Sequence, residues 1–543
     1  MKTKTIVALA FLIAGSQLKA QSDFIIEEVA QNVDYNYFFK HVLYFASDEL
    51  KGRDVGSEGF DLAATYTANE FKANNLLPFG DNGSYFQDIS FINAQIIEPS
   101  FKMNIAANES AVTGTFGENV SVYLNTKSTS FSTDNGLVFV GYGNVIPELN
   151  IDDYKNLDVK DKIVIVSFGA PKGVSHSSIN NPLTKIQHAT DKGAKGVIAF
   201  YPKKGLFQGL IFKSLHEFIG APKMVIDDSV LNKQFIDIEF LSFVKKDFLK
   251  SVFKTSNANF GKEIKAMKNG EFVSKPIDAN LTCSYDMNFT SLSCKNVVGV
   301  LPGTDSILKN DYIVVGAHLD HLGVGKPIKG DSIYNGMWDN ATGSSATISI
   351  SKTLNDANIS TKRSIIFINY TAEEKGLYGS YYFANSDLVK DKNIVANVNI
   401  DMLGGLYETS DITPVGYSHS NISEAVDFAA EILNVTISDA TKFEELYVHR
   451  SDQYSFIETG TPIISVEMGT NSIGPKVDVV KNTEKWMEKL YHSPFDDLNQ
   501  EYSDNAFHLA LKANFLVTYY LANEIPEIKW NEDSWILEKY VEK

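Results

Sequence analysis

The chain has 543 residues, of which 44% are hydrophobic and 21% are charged, a composition typical of a globular protein. This length exceeds what one hydrophobic core usually organises, so we expect two or three domains. The formal net charge of −18 at pH 7 argues against nucleic acid and anionic lipid as partners.

The first twenty residues have the pattern of a secretory signal. A basic start at residues 1–4 precedes an apolar run at 5–14, and Ala20 lies before a polar stretch. A membrane anchor is the alternative, but the apolar run is about half of what a spanning helix needs. We therefore predict a signal peptide at residues 1–20, a secreted or periplasmic protein, and no integral membrane segment.

The two cysteines, Cys283 and Cys294, would then reach an oxidising compartment that permits a disulfide. Residues eleven apart in a hairpin need not face each other, so the pairing stays open.

The chain shows three successive patterns of hydrophobic and polar residues. Residues 21–104 begin with a helical pattern that runs to about residue 87, and residues 105–275 contain short β-like runs separated by Gly, Asn, Asp and Ser. From residue 276 to the end, strand patterns alternate with helical ones, as in α/β domains. The pattern predicts an α/β domain with a β-rich module inserted into it or placed before it.

Ligand-type residues follow three strand-like runs in the last part of the chain. The run at 312–315 leads into GAHLDHLG (316–323), which contains His318 and Asp320. The runs at 365–370 and 394–400 lead to Glu373, Glu374 and Asp401. Because sites in α/β sheets form at the carboxyl ends of strands, these three strand ends predict one site.

Asp339 and His492 are further candidates, and each candidate residue also has a simpler interpretation on its own. Asp339 precedes a helical pattern and could be a helix cap, Glu373 and Glu374 could be a solvated pair, and Asp401 and His492 could be ordinary loop residues. Together, however, acids and histidines at the ends of core strands cost desolvation energy unless a cation neutralises them. A two-metal hydrolase explains the set, and nitrogen and oxygen donors without thiolate suit zinc.

The motifs resemble those of the secreted di-zinc aminopeptidases related to glutamate carboxypeptidase and glutaminyl cyclase. GAHLDHLG, NGMWDNATG, TAEEKGLYGS, NIDMLG and YHSPFDD occur in the family's order, and residues 46–87 are similar to the N-terminal part of members with an inserted protease-associated domain. The resemblance implies a mixed-sheet, three-layer α/β/α zinc exopeptidase domain formed by residues 21–104 and 276–543. It also implies a protease-associated-like domain at 105–275.

The resemblance further implies two Zn²⁺ ions, with one residue bridging them and two more on each ion. The implied ligands are His318 and Asp401 on one ion, Glu374 and His492 on the other, and Asp339 between them. Glu373 would be the general base, Asp320 would orient His318, and Tyr491 would donate a hydrogen bond to the oxyanion or serve only in packing. The family also has a cis peptide bond after the bridging aspartate, here Asp339–Asn340.

The implied activity is release of N-terminal amino acids from peptide substrates. A glutaminyl cyclase-like transferase, a carboxypeptidase or dipeptidase, and a non-catalytic peptide-binding relative are the alternatives. We favour the amino terminus because no arginine cluster suits a substrate carboxylate. Trp338 and Gln453 depart from the family pattern and leave the preferred side chain open, and the oligomeric state is open as well.

Overall fold

The computed structural model describes residues 24–541 except 108–109, 175–181, 203–210, 214, 217–218, 229, 232–237, 440–443, 445–446 and 475–476. The predicted signal peptide at residues 1–20 lies outside the described residues, so its assignment stays a prediction. Among the helices of the described residues, none combines the length and apolar character needed to cross a membrane.

The strands, in chain order, are β1 (Leu77–Pro78), β2 (Phe86–Ile96), β3 (Lys102–Ala107), β4 (Ser110–Gly114), β5 (Val120–Tyr123), β6 (Ser130–Phe139), β7 (Val145–Ile146), β8 (Ile151–Asp152), β9 (Ile163–Ser167), β10 (Gly196–Phe200), β11 (Lys223–Ile226), β12 (Phe240–Val244), β13 (Lys275–Leu301), β14 (Asp311–His318), β15 (Gly323–Ile328), β16 (Asp331–Tyr334), β17 (Ser364–Tyr370), β18 (Asn393–Asn399), β19 (Asp411–Val415), β20 (Thr436–Ile437) and β21 (Ile463–Met468).

The α-helices are α1 (Tyr35–Phe45), α2 (Glu58–Ala73), α3 (Pro182–Asp191), α4 (Lys246–Thr255), α5 (Phe260–Lys268), α6 (Thr342–Asp356), α7 (Tyr378–Ala384), α8 (Ser423–Leu433), α9 (Gln453–Ile457), α10 (Val479–Lys489) and α11 (Asp504–Asn523).

The described chain divides into two compact units, and the first contains all of the predicted site residues. It comprises the residues up to Ile89 together with those from Ser293 onwards. Its sheet has β14 between β17 and β18, all three parallel, with β21 parallel to β18 on one side. The last residues of β13 run antiparallel to β17, and β19 runs antiparallel to β21. The sheet is therefore mixed, and the predicted α/β class is confirmed.

Both faces of this sheet are covered, which explains why most residues of its central strands are buried and many are apolar. On one face, Val314, Ile366 and Ile368 form a buried cluster with Phe383 of α7 and Phe456 of α9. Helices α6 and α11 also pack against β14. The sheet thus lies between helices, and the polar residues that follow its strands are confined to its edge.

The second unit comprises residues Ser90–Leu292. Strands β6, β9, β10 and β12 are parallel in that order, and β5 runs antiparallel to β12. The first part of β13 pairs antiparallel with β3 and β6, and β3 pairs with β4. The chain thus leaves the first unit after Ile89 and re-enters it at Ser293, while the protease-associated identity expected for residues 105–275 stays a prediction.

Both cysteines are free and buried. Cys283 lies in the second unit, and Cys294 lies in the first, where its Sγ is 3.0 Å from Oγ1 of Thr371. The two cysteines are not paired with each other in this structure.

Candidate metal centre

The parallel register of the first unit brings three strand ends to one edge of the sheet. Ala317 pairs with Asn369, and Gly316 pairs with Asn399. His318 at the end of β14, Glu373 and Glu374 after β17, and Asp401 after β18 therefore emerge side by side. These residues lie together in the structure although they span more than eighty positions in the sequence.

One group of donors forms around His318. Its Nε2 lies 3.2 Å from Oδ1 of Asp339 and 3.2 Å from Oδ1 of Asp401. The three side chains offer one nitrogen and two oxygens within 4.8 Å of one another, a spacing that one metal ion can bridge.

A second group forms on the other oxygen of Asp339. Nε2 of His492 lies 3.2 Å from Oδ2 of Asp339 and 3.2 Å from Oε2 of Glu374. His321 completes this group, with its Nδ1 2.7 Å from Oε1 of Glu374 and 4.0 Å from Oδ2 of Asp339. Asp339 therefore faces one donor group with each carboxylate oxygen.

His321 was not among the residues predicted from the sequence. It is fully buried, and it lies three positions after His318 in the same motif. The presence of a second histidine at one strand end was the available signal, but its distance to Glu374 depends on how β14 and β17 pair.

The loop that carries Asp339 is held by Asp496, another residue that was not predicted. The backbone N–H groups of Trp338 and Asp339 donate to the two carboxylate oxygens of Asp496 at 2.9 and 3.0 Å. The peptide bond between Asp339 and Asn340 is cis, as the resemblance implies. Gly336 has a φ of 61°, and a Cβ there would lie 2.2 Å from the carbonyl oxygen of Asp339, so the loop requires glycine at this position.

Asp320, Glu373 and Tyr491, the three predicted catalytic residues, all lie at this edge. The carboxylate of Asp320 accepts hydrogen bonds from the backbone N–H groups of Glu373 and Glu374 at 3.1 and 3.3 Å. Asp320 contacts His318 through its main-chain oxygen, 3.1 Å from Nδ1, so its carboxylate orients the two glutamates and its carbonyl faces the histidine. The ring of Tyr491 stacks on His492 with a centroid distance of 3.8 Å.

The electrostatics of the cluster show that it favours positive charge. Burial raises the pKa of Glu373 well above its ordinary value, and burial raises the pKa of Asp320 to about 6. Burial opposes protonation of His318, yet Asp401, Glu373 and Asp339 together raise its pKa well above the ordinary value. A positive charge at His318 would neutralise part of the acid cluster, a task that metal ions can perform instead. The donor types and the charge fit divalent cations.

Comparison with known proteins agrees with this geometry. The model of Peptidase family M28 matches residues 296–516, the segment that carries both donor groups. Leupeptin-inactivating enzyme 1 of Streptomyces exfoliatus is 25% identical over 242 residues, which are 42% of this chain. The match covers 49% of that relative, so the chain spans about half the length of the curated relative it matches.

The aminopeptidase from Aneurinibacillus sp. strain AM-1 has a similar fold. The two share 17% sequence identity with a TM-score of 0.52, and the match covers 92% of this chain and 96% of that chain. The fold is thus similar to that of an aminopeptidase, and the segment matched by the family model carries the candidate metal centre.

Proposed function

We propose that the protein is a zinc-dependent exopeptidase, and specifically an aminopeptidase that releases N-terminal amino acids from peptides. The observation that carries this proposal is the pair of donor groups that share Asp339. A carboxylate with one oxygen toward each group is the arrangement that two adjacent metal ions require.

Two Zn²⁺ ions are the proposed cofactors. His318 and Asp401 would hold one ion, Glu374 and His492 would hold the other, and Asp339 would bridge them. Once bound, the ions supply an activated water and a Lewis acid for the scissile carbonyl.

Glu373 is the proposed general base. It lies partly buried beside the donor groups, and its backbone N–H donates to the carboxylate of Asp320, so a side chain able to take a proton is held at the site. It would accept the proton of the attacking water and return it to the leaving amine. Metal ions nearby would lower its pKa and keep it ionised before attack.

Tyr491 is the proposed hydrogen-bond donor to the oxyanion of the tetrahedral intermediate. Burial, followed by the nearby Asp339 and Glu374, raises the pKa of its phenol, so the hydroxyl keeps its proton and remains a donor. Stacking on His492 holds the ring at the edge of the site.

The decisive experiment measures zinc content and substrate choice together. The purified protein should contain two zinc ions per chain and should release free amino acid from a peptide with an unblocked N-terminus. The same peptide with an N-acetyl group should be inert, and one with a C-terminal amide should be cleaved normally. Cleavage of the acetylated peptide but not of the amide would indicate a carboxypeptidase, cyclisation of N-terminal glutamine would indicate a cyclase, and zinc binding without turnover would indicate a binding protein.

We also propose that the protein is secreted or periplasmic and that its partners are peptide substrates. The N-terminal sequence pattern supports export, and the match of residues 296–516 to a peptidase family supports peptide substrates. N-terminal sequencing of the mature protein should begin at residue 21, and an intact residue 1 on the exported protein would contradict the proposal.

A further inference from the structure

A fully buried arginine lies behind the loops that carry the donor residues. Nε of Arg53 donates to the carbonyl oxygen of Leu319 at 2.8 Å, Nη1 donates to that of Asn335 at 2.7 Å, and Nη2 donates to that of Gly336 at 3.0 Å. Nη1 also donates to the carbonyl oxygen of Phe45 at the end of α1. One guanidinium thus joins the His318–His321 segment to the Asp339 loop.

The main chain of Arg53 takes part in the same arrangement. Its carbonyl oxygen accepts a hydrogen bond from the N–H of His321 at 3.2 Å. The preceding Gly52 has a φ of 69°, and a Cβ there would lie 2.2 Å from the carbonyl oxygen of Tyr334. The same Cβ would lie 2.7 Å from the carbonyl oxygen of Gly323, so the turn packs against residues that flank both ligand-bearing segments, and only glycine fits.

The charge of Arg53 acts on the same cluster. Burial lowers the pKa of Arg53 to about 10, while Asp320, Asp339, Asp496 and Glu374 oppose that shift, so the side chain stays cationic at neutral pH. Within the described residues, no carboxylate lies within ion-pair distance of it. All hydrogen bonds of its side chain go to backbone carbonyl oxygens. Its positive charge interacts with the four nearby acids at longer range.

We propose that Arg53 is a positioning residue of the metal centre, which sets the separation between the segment 318–321 and the loop 335–340 so that Asp339 can face both donor groups. The inference rests on the proposed zinc site. A planar guanidinium can donate to several carbonyls in fixed directions, whereas a lysine ammonium cannot reproduce that fork.

The chain contains a matched control in Arg363, which is also fully buried in the first unit. Arg363 donates to the carbonyl oxygens of Leu521, Ile525 and Pro526, and it precedes β17 at the end of the strand opposite the site. Strand β17 has seven residues and ends at Tyr370, so about 23 Å of extended chain runs from Arg363 to that end of the strand. Replacing Arg363 therefore shows what the loss of a buried, hydrogen-bonded guanidinium does when that group lies away from the metal centre.

The test compares R53K and R363K in the full-length purified protein. Zinc affinity is measured by competition with a chromophoric chelator, and thermal stability is measured without metal. Both variants should lower the melting temperature, but only R53K should weaken zinc binding, by about 10–100-fold, the range typical when a group that orients a metal ligand is lost. A folded R53K variant with wild-type zinc affinity would overturn the proposal, and so would an equal loss in R363K.

Hydrogen exchange of the unmodified protein supplies a second measurement in case R53K does not fold. Zinc loading should slow amide exchange in peptides that cover residues 50–57 and 319–322, and it should leave the peptides around Arg363 unchanged. Unchanged exchange at residues 50–57 would overturn the proposal. If the wild-type protein bound no zinc, the proposed function would fail with it; two bound zinc ions with an unaffected R53K variant would refute this inference alone.

Discussion

Nδ1 of His321 lies 2.7 Å from Oε1 of Glu374, and this contact joins the end of β14 to the end of β17. His321 is fully buried, and its ring meets that of His492 edge-on at a centroid distance of 5.7 Å. The histidine thus fixes one oxygen of Glu374 while the other oxygen faces His492. A side chain that fixes a metal ligand in this way usually strengthens metal binding.

Replacement of His321 by leucine should weaken zinc binding at the Glu374 group by about 10–100-fold, because Glu374 loses the group that orients it. Chelator competition measures this directly. His419→Leu is the matched control, since His419 makes a similar buried contact with Glu444, at 3.0 Å, in the same unit. Both variants should lose stability, and a zinc affinity that drops equally in both would contradict the assignment of His321.

Glu373→Gln should retain both zinc ions and the fold but lose about 10²–10⁴ in kcat, because an amide cannot shuttle the proton. Glu374→Gln is the comparison. Glu374 is the next residue and a proposed zinc ligand, so its replacement should reduce the zinc content. Steady-state kinetics and metal analysis of the two variants separate the roles. Near-normal kcat in a fully loaded E373Q protein would remove Glu373 from the mechanism.

Asp496→Asn should both destabilise the protein and weaken zinc binding. An amide in place of the carboxylate would turn an NH₂ group toward a backbone N–H of the Asp339 loop, at a cost of about 1–3 kcal/mol for the unsatisfied donors. Asp411→Asn is the control, because Asp411 is buried and accepts from the N–H groups of Thr470 and Asn471. Urea unfolding should show a loss in both variants, and chelator competition should show a loss of zinc affinity only in D496N.

His41 should make the protein less stable in acid. Burial lowers its pKa to about 3, compared with about 6.5 in the unfolded chain, so between these values the unfolded state binds the extra proton. Its contribution to the free energy of unfolding is complete above about pH 6.5 and is lost as the pH falls toward 3.

His41→Gln tests this linkage in metal-free protein, so that the donor histidines titrate alike in both forms. Between pH 6.5 and 4.5 the free energy of unfolding should fall less steeply in the variant, by up to about 1.4 kcal/mol per pH unit. Equal slopes in urea titrations would show that folding does not lower the pKa of His41.

The order of the motifs predicted much of the site, for a simple physical reason. Buried parallel strands are apolar over their whole length, so a polar residue at the end of such a run marks the edge of a sheet. His318, Glu373, Glu374 and Asp401 are visible in this way. Asp339 and His492 follow no such strand, and the family resemblance was needed to assign their roles.

The supporting residues could not be recognised from the sequence. Arg53 and Asp496 lie far along the chain from the donors they hold, and each acts mainly through backbone groups, which have no side-chain signature. A buried arginine that donates to carbonyls cannot be distinguished in sequence from one on the surface. Arg363 shows the same ambiguity within this chain.

The sequence by itself determined the α/β class and the residues able to bind a metal, because both depend on hydrophobic patterns and on residue chemistry. Only the tertiary structure decided that His321 faces Glu374 and that each oxygen of Asp339 faces a different donor group. Those relations depend on the register of β14 against β17 and on the path of the 336–341 turn, where a shift of one residue would direct the side chains to the opposite face.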